Sequence, residues 1–268
     1  MAHDGGPPLD TGLDLRVRWP MDDYTASTYG DRIADVYDRW FRQGLAPAEQ
    51  TVEALARLAG NGPVLELAIG TGRIALPLAA RGLRVQGIDI SGATVARLRE
   101  KLDGTDIPVT IGDLADVAVE GLFSLVYVVF NTFWALLTQE DQTRCFRNVA
   151  THLTEDGAFV IEAFVPDPAR FDRGQRTSTS WVDTHTVTLE ASRHDPVNQR
   201  VDSQHVVIRE DGIKLYPVSI RYAHLRELDL MAKLARMRLR DRWAGWNGEL
   251  FTEDSEMHVS VYELATSG

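Results

Sequence analysis

The chain has 268 residues, of which 44% are hydrophobic and 25% charged. That composition supports one large packed domain with an elaboration and excludes wholesale disorder. The net charge of -11, from 28 Lys and Arg against 39 Asp and Glu, argues against a nucleic-acid-binding role, which needs clustered cations.

The only cysteine, Cys145, rules out an internal disulfide or a cysteine-based zinc site. The histidines show no metal-ligand spacing, so no metal is expected. No stretch has the apolar run of a signal peptide or a membrane span, which predicts a cytoplasmic protein with no membrane partner.

Residues 1–23 are rich in Gly, Pro and Asp and read as a loose tail; residues 24–268 form the domain. Ile33, Val36, Tyr37, Trp40 and Phe41 fall on one face of an amphipathic helix starting near Thr28. A second helix runs from Pro47 through Val52, Leu55 and Leu58 to Gly60, so that 28–60 is a helical N-terminal cap. Val64 to Leu67 is a short buried strand, followed by a turn at Gly70 and Gly72 and a helix start at Ile74, Ala75 and Leu78.

Strands and helices then alternate. Arg84 to Ile90 is a strand, Ser91 caps a helix through Val95, Leu98 and Leu102, and Ile107 to Ile111 is a short strand. Leu122 to Phe130 is a nearly continuous apolar run, as in a strand covered on both faces. A helix from Gln139 to Leu153 is punctuated by Asp156-Gly157, and Ala158 to Phe164 is the fifth strand.

Over 181–222 the helical period disappears. Three strands, Val182 to Arg193, Arg200 to Arg209 and Ile213 to Tyr222, are joined by turns at Asp195–Asn198 and Glu210–Gly212. A helix near Leu225 to Ala235 and two strands, one flanked by Leu239 and Trp243 and one at His258 to Leu264, complete the chain. The predicted fold is α/β: a Rossmann-like, mostly parallel seven-stranded sheet with helices on both faces, plus an inserted antiparallel β meander.

A strand, a glycine turn and a helix start make a nucleotide cradle, because glycines let backbone approach a ligand and the helix start offers free N–H groups. Gly70-x-Gly72-x-x-Ala75 meets the dinucleotide fingerprint, with Asp89 roughly 20 residues further on where a ribose-binding acid would sit. An NAD(P)-dependent oxidoreductase is therefore one reading, and a non-catalytic cofactor-binding or interaction module another. Three features point elsewhere: Glu66 inside the first strand, Ala68 in the place of one glycine, and Asp113 just past the third strand.

The order Glu66-Leu-Ala68-Ile-Gly70-Thr-Gly72, Gly87-Ile-Asp89-Ile90, Gly112-Asp113-Leu114, Leu125 to Asn131 and Leu153 to Phe164 resembles the class I S-adenosylmethionine-dependent methyltransferases, in their small-molecule (sugar and natural-product) branch. One family glycine is replaced by Ala68. The resemblance covers roughly Thr28 to Phe164 and resumes at the C-terminus. It implies S-adenosylmethionine (AdoMet) as cofactor and S-adenosylhomocysteine as product. It implies that Glu66 accepts from the methionine ammonium, that the turn from Ala68 to Gly72 meets the methionine portion, and that Asp89 takes both ribose hydroxyls. Asp113 would accept the adenine amino proton, Leu114 supply an N–H beside the ring, and Ile90 pack on its face. Arg73 would pair with the methionine carboxylate, Tyr37 close over the cofactor, and Phe130 and Asn131 lie at the end of the fourth strand beside it.

The implied reaction transfers a methyl group to an O or N atom of a small-molecule acceptor. The acceptor enters at the C-terminal edge of the sheet, near Asn131 to Trp134, Glu162 and Phe164, under a lid formed by 181–222. A base, where one is needed, comes from His185, His194 or His205. Alternation puts His185 on the face of Val187 and Leu189, the apolar side, and makes it the first choice. Trp181, Trp243 and Trp246 are candidates to line a pocket for a planar acceptor. An apolar edge on the meander would support a homodimer.

Overall fold

The structure is a computed structural model and describes residues 21, 23–44, 48–101 and 107–265, with backbone alone at 41–44. Most of the expected tail, Pro47, Leu102 and the side chain of Phe41 lie outside the described residues.

Seven strands form the main sheet: β1 (Val64–Leu67), β2 (Val85–Asp89), β3 (Val109–Ile111), β4 (Phe123–Val128), β5 (Leu153–Phe164), β10 (Met237–Trp243) and β11 (Met257–Leu264). Their order is β10-β11-β5-β4-β1-β2-β3. The pairs β1–β2, β1–β4, β2–β3 and β4–β5 are parallel, and β11 runs antiparallel to β5 and β10. Helices α3 (Ala48–Ala59), α4 (Ala75–Ala80) and α5 (Gly92–Arg99) cover one face, where Val52, Leu55, Leu78 and Leu98 pack on Val64, Leu125 and Val160. Helices α6 (Gln139–His152) and α7 (Leu225–Leu234) cover the other, where Phe146, Val149 and Met231 pack on Leu65, Val126 and Phe159. Two covered faces explain why all four residues of β1 are buried, Glu66 included.

The expected single N-terminal helix is two: α1 (Thr28–Ile33) and α2 (Tyr37–Gly44), with a turn between them. Ile33 and Val36 bracket the turn and both bury against Val207 and Tyr216, so the break follows the shape of that contact rather than propensity. β5 starts directly after α6, and Asp156-Gly157 sits inside it instead of ending the helix. Pairing there shifts register opposite Phe123 and Leu125, a bulge that absorbs the glycine.

The insertion is a separate four-stranded antiparallel sheet, β6 (Gln175–Val182), β7 (Thr186–Asp195), β8 (Arg200–Arg209) and β9 (Gly212–Arg221). It has one strand more than expected and begins before residue 181. The first six residues of this strand, Gln175-Arg-Thr-Ser-Thr-Ser180, are all polar, so only its end at Trp181 and Val182 announces it. Asp183 closes the β6–β7 turn by accepting from the backbone N–H groups of His185 and Thr186 at 2.8 and 2.7 Å.

Candidate active site

The turn after β1 departs from ordinary backbone three times: Ala68, Gly70 and Gly72 have φ of 58°, 56° and 80°. For Ala68 this left-handed conformation costs about 1 kcal/mol, so the surrounding packing enforces it. The two glycines differ in purpose. A Cβ on Gly70 would meet nothing closer than the Ala68 carbonyl at 3.9 Å, and Gly70 lines a cavity, so its bare backbone faces ligand space. A Cβ on Gly72 would lie 2.3 Å from Leu98 Cδ1. Gly72 lets α5 pack close and is not on the cavity wall.

Asp89, at the end of β2, lines the same cavity and is only 7% exposed. Its Oδ2 accepts from Gly70 N at 2.7 Å, while Oδ1 accepts from Ser91 N at 2.8 Å and Thr94 Oγ1 at 3.2 Å. Burial raises its pKa, opposed by these donors. The carboxylate therefore holds the glycine turn to α5 as well as facing the cavity. Ile90 and Leu114 line the wall beside it. Asp113 spends Oδ1 on Ala115 N at 2.8 Å, closing a turn behind Leu114.

Glu66 is not on the cavity wall; it lies beneath the turn, 4% exposed. Its Oε2 accepts from Tyr127 Oη at 2.8 Å. Burial pushes its pKa up to about 8, against the pull of the Tyr127 hydrogen bond. Tyr127 was not a sequence candidate; it stands within the apolar run of β4, in register with Glu66 on β1.

The corner after β4 holds Phe130 and Asn131, both left-handed at φ 58° and 63°, both on the wall. Two braces fix it. Phe130 N donates to Glu162 Oε2 at 3.0 Å, and Asn131 Oδ1 accepts from Phe164 N at 2.6 Å. Trp246 Nε1 donates to the other oxygen of Glu162 at 2.8 Å. Glu162 and Trp246, expected beside the acceptor, are thus supports of this corner and not wall residues. Arg73 stacks its guanidinium 3.2 Å over the Phe130 ring, and burial lowers its pKa.

Helices α1 and α2 roof the cofactor side. Ser91 Oγ donates to Asp31 at 2.6 Å, Thr71 Oγ1 donates to Asp38 at 2.7 Å, and Lys101 Nζ lies 2.5 Å from Asp38. This places Tyr29 and Tyr37 on the wall. Burial pushes the Tyr37 phenol up to about 12 and raises Tyr29 as well. Tyr24, Tyr29, Tyr37 and Trp40 make the roof aromatic.

The cavity, about 940 Å3, continues from this turn to the inner face of the inserted sheet. There it meets Thr186, Thr188, Glu190 and Ser192 of β7 and Val201, Ser203, His205 and Val207 of β8. The sheet is anchored at both ends: Trp40 packs edge-on against Tyr216 at 4.7 Å, and Val201 and Tyr222 join the main core.

His185 is the clearest correction. It sits in the β6–β7 turn with its side chain 75% exposed, 3.3 Å from Glu210 and off the cavity wall. The face carrying Val187 and Leu189 is the outer face, so apolar alternation pointed the wrong way. His205 lies on the inner face, directly opposite Glu190 on β7, and burial lowers its pKa. His194 bonds to Tyr222 Oη at 2.8 Å and stacks on Phe171. Trp181 lines the cavity; Trp243 packs in the main core. The missed residues Glu190, Ser192 and Ser203 carried a signal: the polar alternation of β7 from Thr186 to Ser192, which resembles a solvent face. Among the described residues no cluster of His, Cys, Asp and Glu could hold a metal ion, and no helix is long and apolar enough to cross a membrane.

The wall fits AdoMet on its own chemistry. An open backbone turn suits the amino-acid end, a buried carboxylate at the end of β2 suits ribose hydroxyls, and Ile90 and Leu114 suit the adenine ring. When bound, the cofactor supplies an electrophilic methyl group on a sulfonium.

Known proteins share this fold. Residues 64–157 match a family model described as a methyltransferase domain. The chain is 39% identical to the CcbJ methyltransferase of Streptomyces caelestis, whose structure superposes with a TM-score of 0.86 over 91% of this chain and 100% of that one. It is 28% identical over 203 residues to the cypemycin N-terminal methyltransferase of Streptomyces sp, covering 75% of this chain and 82% of the relative. It is 30% identical over 147 residues to the dTDP-4-amino-2,3,4,6-tetradeoxy-D-glucose N,N-dimethyltransferase of Saccharopolyspora spinosa, 52% of this chain and 57% of the relative. With this fold, this wall and these relatives, the chain belongs to the S-adenosylmethionine-dependent methyltransferases.

Proposed function

We propose that the protein transfers the methyl group of AdoMet to the amine nitrogen of a small molecule bound beneath the inserted sheet. The observation that carries this reading is the continuous cavity, which joins the turn at Ala68, Gly70 and Asp89 to the inner face of β7 and β8. In it, the turn holds the methionine portion, Asp89 the ribose, and Ile90 and Leu114 the adenine, while Asp113, which is not on the wall, closes the turn behind Leu114. Tyr37, Phe130 and Asn131 surround the reacting end, with Arg73 fixing Phe130 from behind. The sheet is the acceptor lid and α1 to α3 the cap.

Nitrogen is favoured over oxygen on chemical grounds. A neutral amine already carries its attacking lone pair, whereas a hydroxyl needs its proton removed. The roof tyrosines stay protonated and so do not take a proton from a hydroxyl. Two of the relatives are named for methylation at nitrogen or an N-terminus, the cypemycin N-terminal methyltransferase and the amino-sugar N,N-dimethyltransferase. Matched amines and alcohols of the same skeleton, screened for release of S-adenosylhomocysteine, test the reading: turnover confined to amines is expected, and turnover confined to alcohols refutes it.

The reading extends to assembly. Val182, Val187, Ile208 and Ile213 form one cross-strand row on the outer face of the sheet, and Leu189, Val206 and Leu215 a second. Val182 and Ile213 are each 66% exposed. A second copy covering this face gives a cytoplasmic homodimer. Sedimentation should show twice the 29.9 kDa chain mass; a monomer at micromolar concentration would refute it.

A further inference from the structure

We propose that Glu190 is the acceptor-positioning residue and selects cationic amines over neutral molecules of the same shape. The proposal rests on the amine reading above. Glu190 stands mid-strand on β7, on the cavity wall. Its Oε1 accepts from Ser192 Oγ at 2.9 Å, and Ser203 Oγ, 3.3 Å from the same oxygen, lies 2.8 Å from Ser192 Oγ, to which it donates. Both serines are buried, at 5% and 6% exposure, so the anchor is set into the sheet. Oε2 has no hydrogen-bond or ion-pair partner among the described residues, and the carboxylate lines the cavity.

A half-buried carboxylate is costly unless something pairs with it. The cavity wall carries Arg39, Arg170, Arg176 and Arg209, but among the described residues none of them forms an ion pair with Glu190. His205, opposite Glu190 across the strands, is kept towards its neutral form by burial. Arg176 lies one row away, opposite Ser192, and forms no ion pair with Glu190. A ligand ammonium completes the arrangement: one carboxylate oxygen is fixed by the sheet, the other receives a charge-assisted N–H bond, and that proton passes to the carboxylate before the neutral nitrogen attacks the methyl carbon. Phe171, Trp181 and Tyr222 provide flat surfaces for the body of such a molecule.

Calorimetry on protein saturated with S-adenosylhomocysteine tests this with benzylamine and its neutral counterpart benzyl alcohol. The wild-type protein should bind the amine at least about tenfold more tightly, the range of one hydrogen bond to a charged group. Glu190→Gln should abolish that preference while leaving the alcohol and S-adenosylhomocysteine affinities unchanged, and Glu190→Asp should restore part of it. No preference in the wild type, no binding of the amine, or a preference that survives in Glu190→Gln overturns the proposal. The failures are separable. Turnover of alcohols alone sinks the amine reading; turnover of amines with an unchanged preference in Glu190→Gln sinks only the role of Glu190.

Discussion

Asp89→Ala should weaken AdoMet binding by about 3 kcal/mol, more than a hundredfold in Kd, in a protein that stays folded. Two losses combine. The ribose loses a buried carboxylate acceptor, and hydrogen bonds to a charged group are worth about 1.5–3 kcal/mol each. The glycine turn also loses its tie, because Asp89 is what Gly70 N, Ser91 N and Thr94 Oγ1 donate to. Asp89→Asn should fall between, because the amide keeps an acceptor oxygen and the shape but not the charge. Calorimetric titration with S-adenosylhomocysteine measures both. Wild-type affinity in folded Asp89→Ala would mean that the ribose lies elsewhere.

Glu66 should make the ligand-free protein lose stability as pH rises. Its folded pKa, about 8, stands above the ordinary carboxyl value of 4.5 because burial penalises the charged form. A group whose folded pKa is raised contributes fully below the unfolded value, and the contribution is lost as pH climbs to the folded value. The window is therefore pH 4.5 to about 8. The difference corresponds to a loss on the order of 4 kcal/mol across it. Glu66→Gln cannot ionise and should lack this slope. Urea unfolding of both proteins at pH 5, 6.5 and 8 reads it out: the wild type should lose stability relative to the variant at each step. A pH-independent difference between them would show that Glu66 is ionised in the resting protein.

The main sheet was legible in the sequence because its strands are buried on both faces and announce themselves as apolar runs, as from Leu122 to Phe130. The cofactor acids were legible for a related reason: Glu66 and Asp89 are charges placed where hydrophobic spacing demands none. What each acid does was less legible. Gly72 reads like Gly70 in a motif, and only the approach of Leu98 shows that it serves packing. Glu162 sits at the end of an apolar strand like an acceptor residue, and only its bonds to Phe130 and Trp246 show it to be a brace.

The inserted sheet was misread for a physical reason. Alternation tells two faces apart but does not say which one is covered. Ordinarily the apolar face is inward. Here the inner face around the cavity carries Glu190, Ser192, Ser203 and His205, while Val182, Ile208, Ile213 and Leu215 face outward. A polar ligand site on one side and an apolar face on the other reverse the usual assignment, and His185 was misplaced as a result.

The most direct measurement follows the methyl group itself. AdoMet carrying a 13C-methyl group is incubated with the protein and a 15N-labelled amine that releases S-adenosylhomocysteine in the screen. Nuclear magnetic resonance of the product should show a one-bond coupling between the 13C-methyl carbon and 15N. A labelled methyl group without that coupling, or label on an oxygen of the same molecule, would contradict amine methylation.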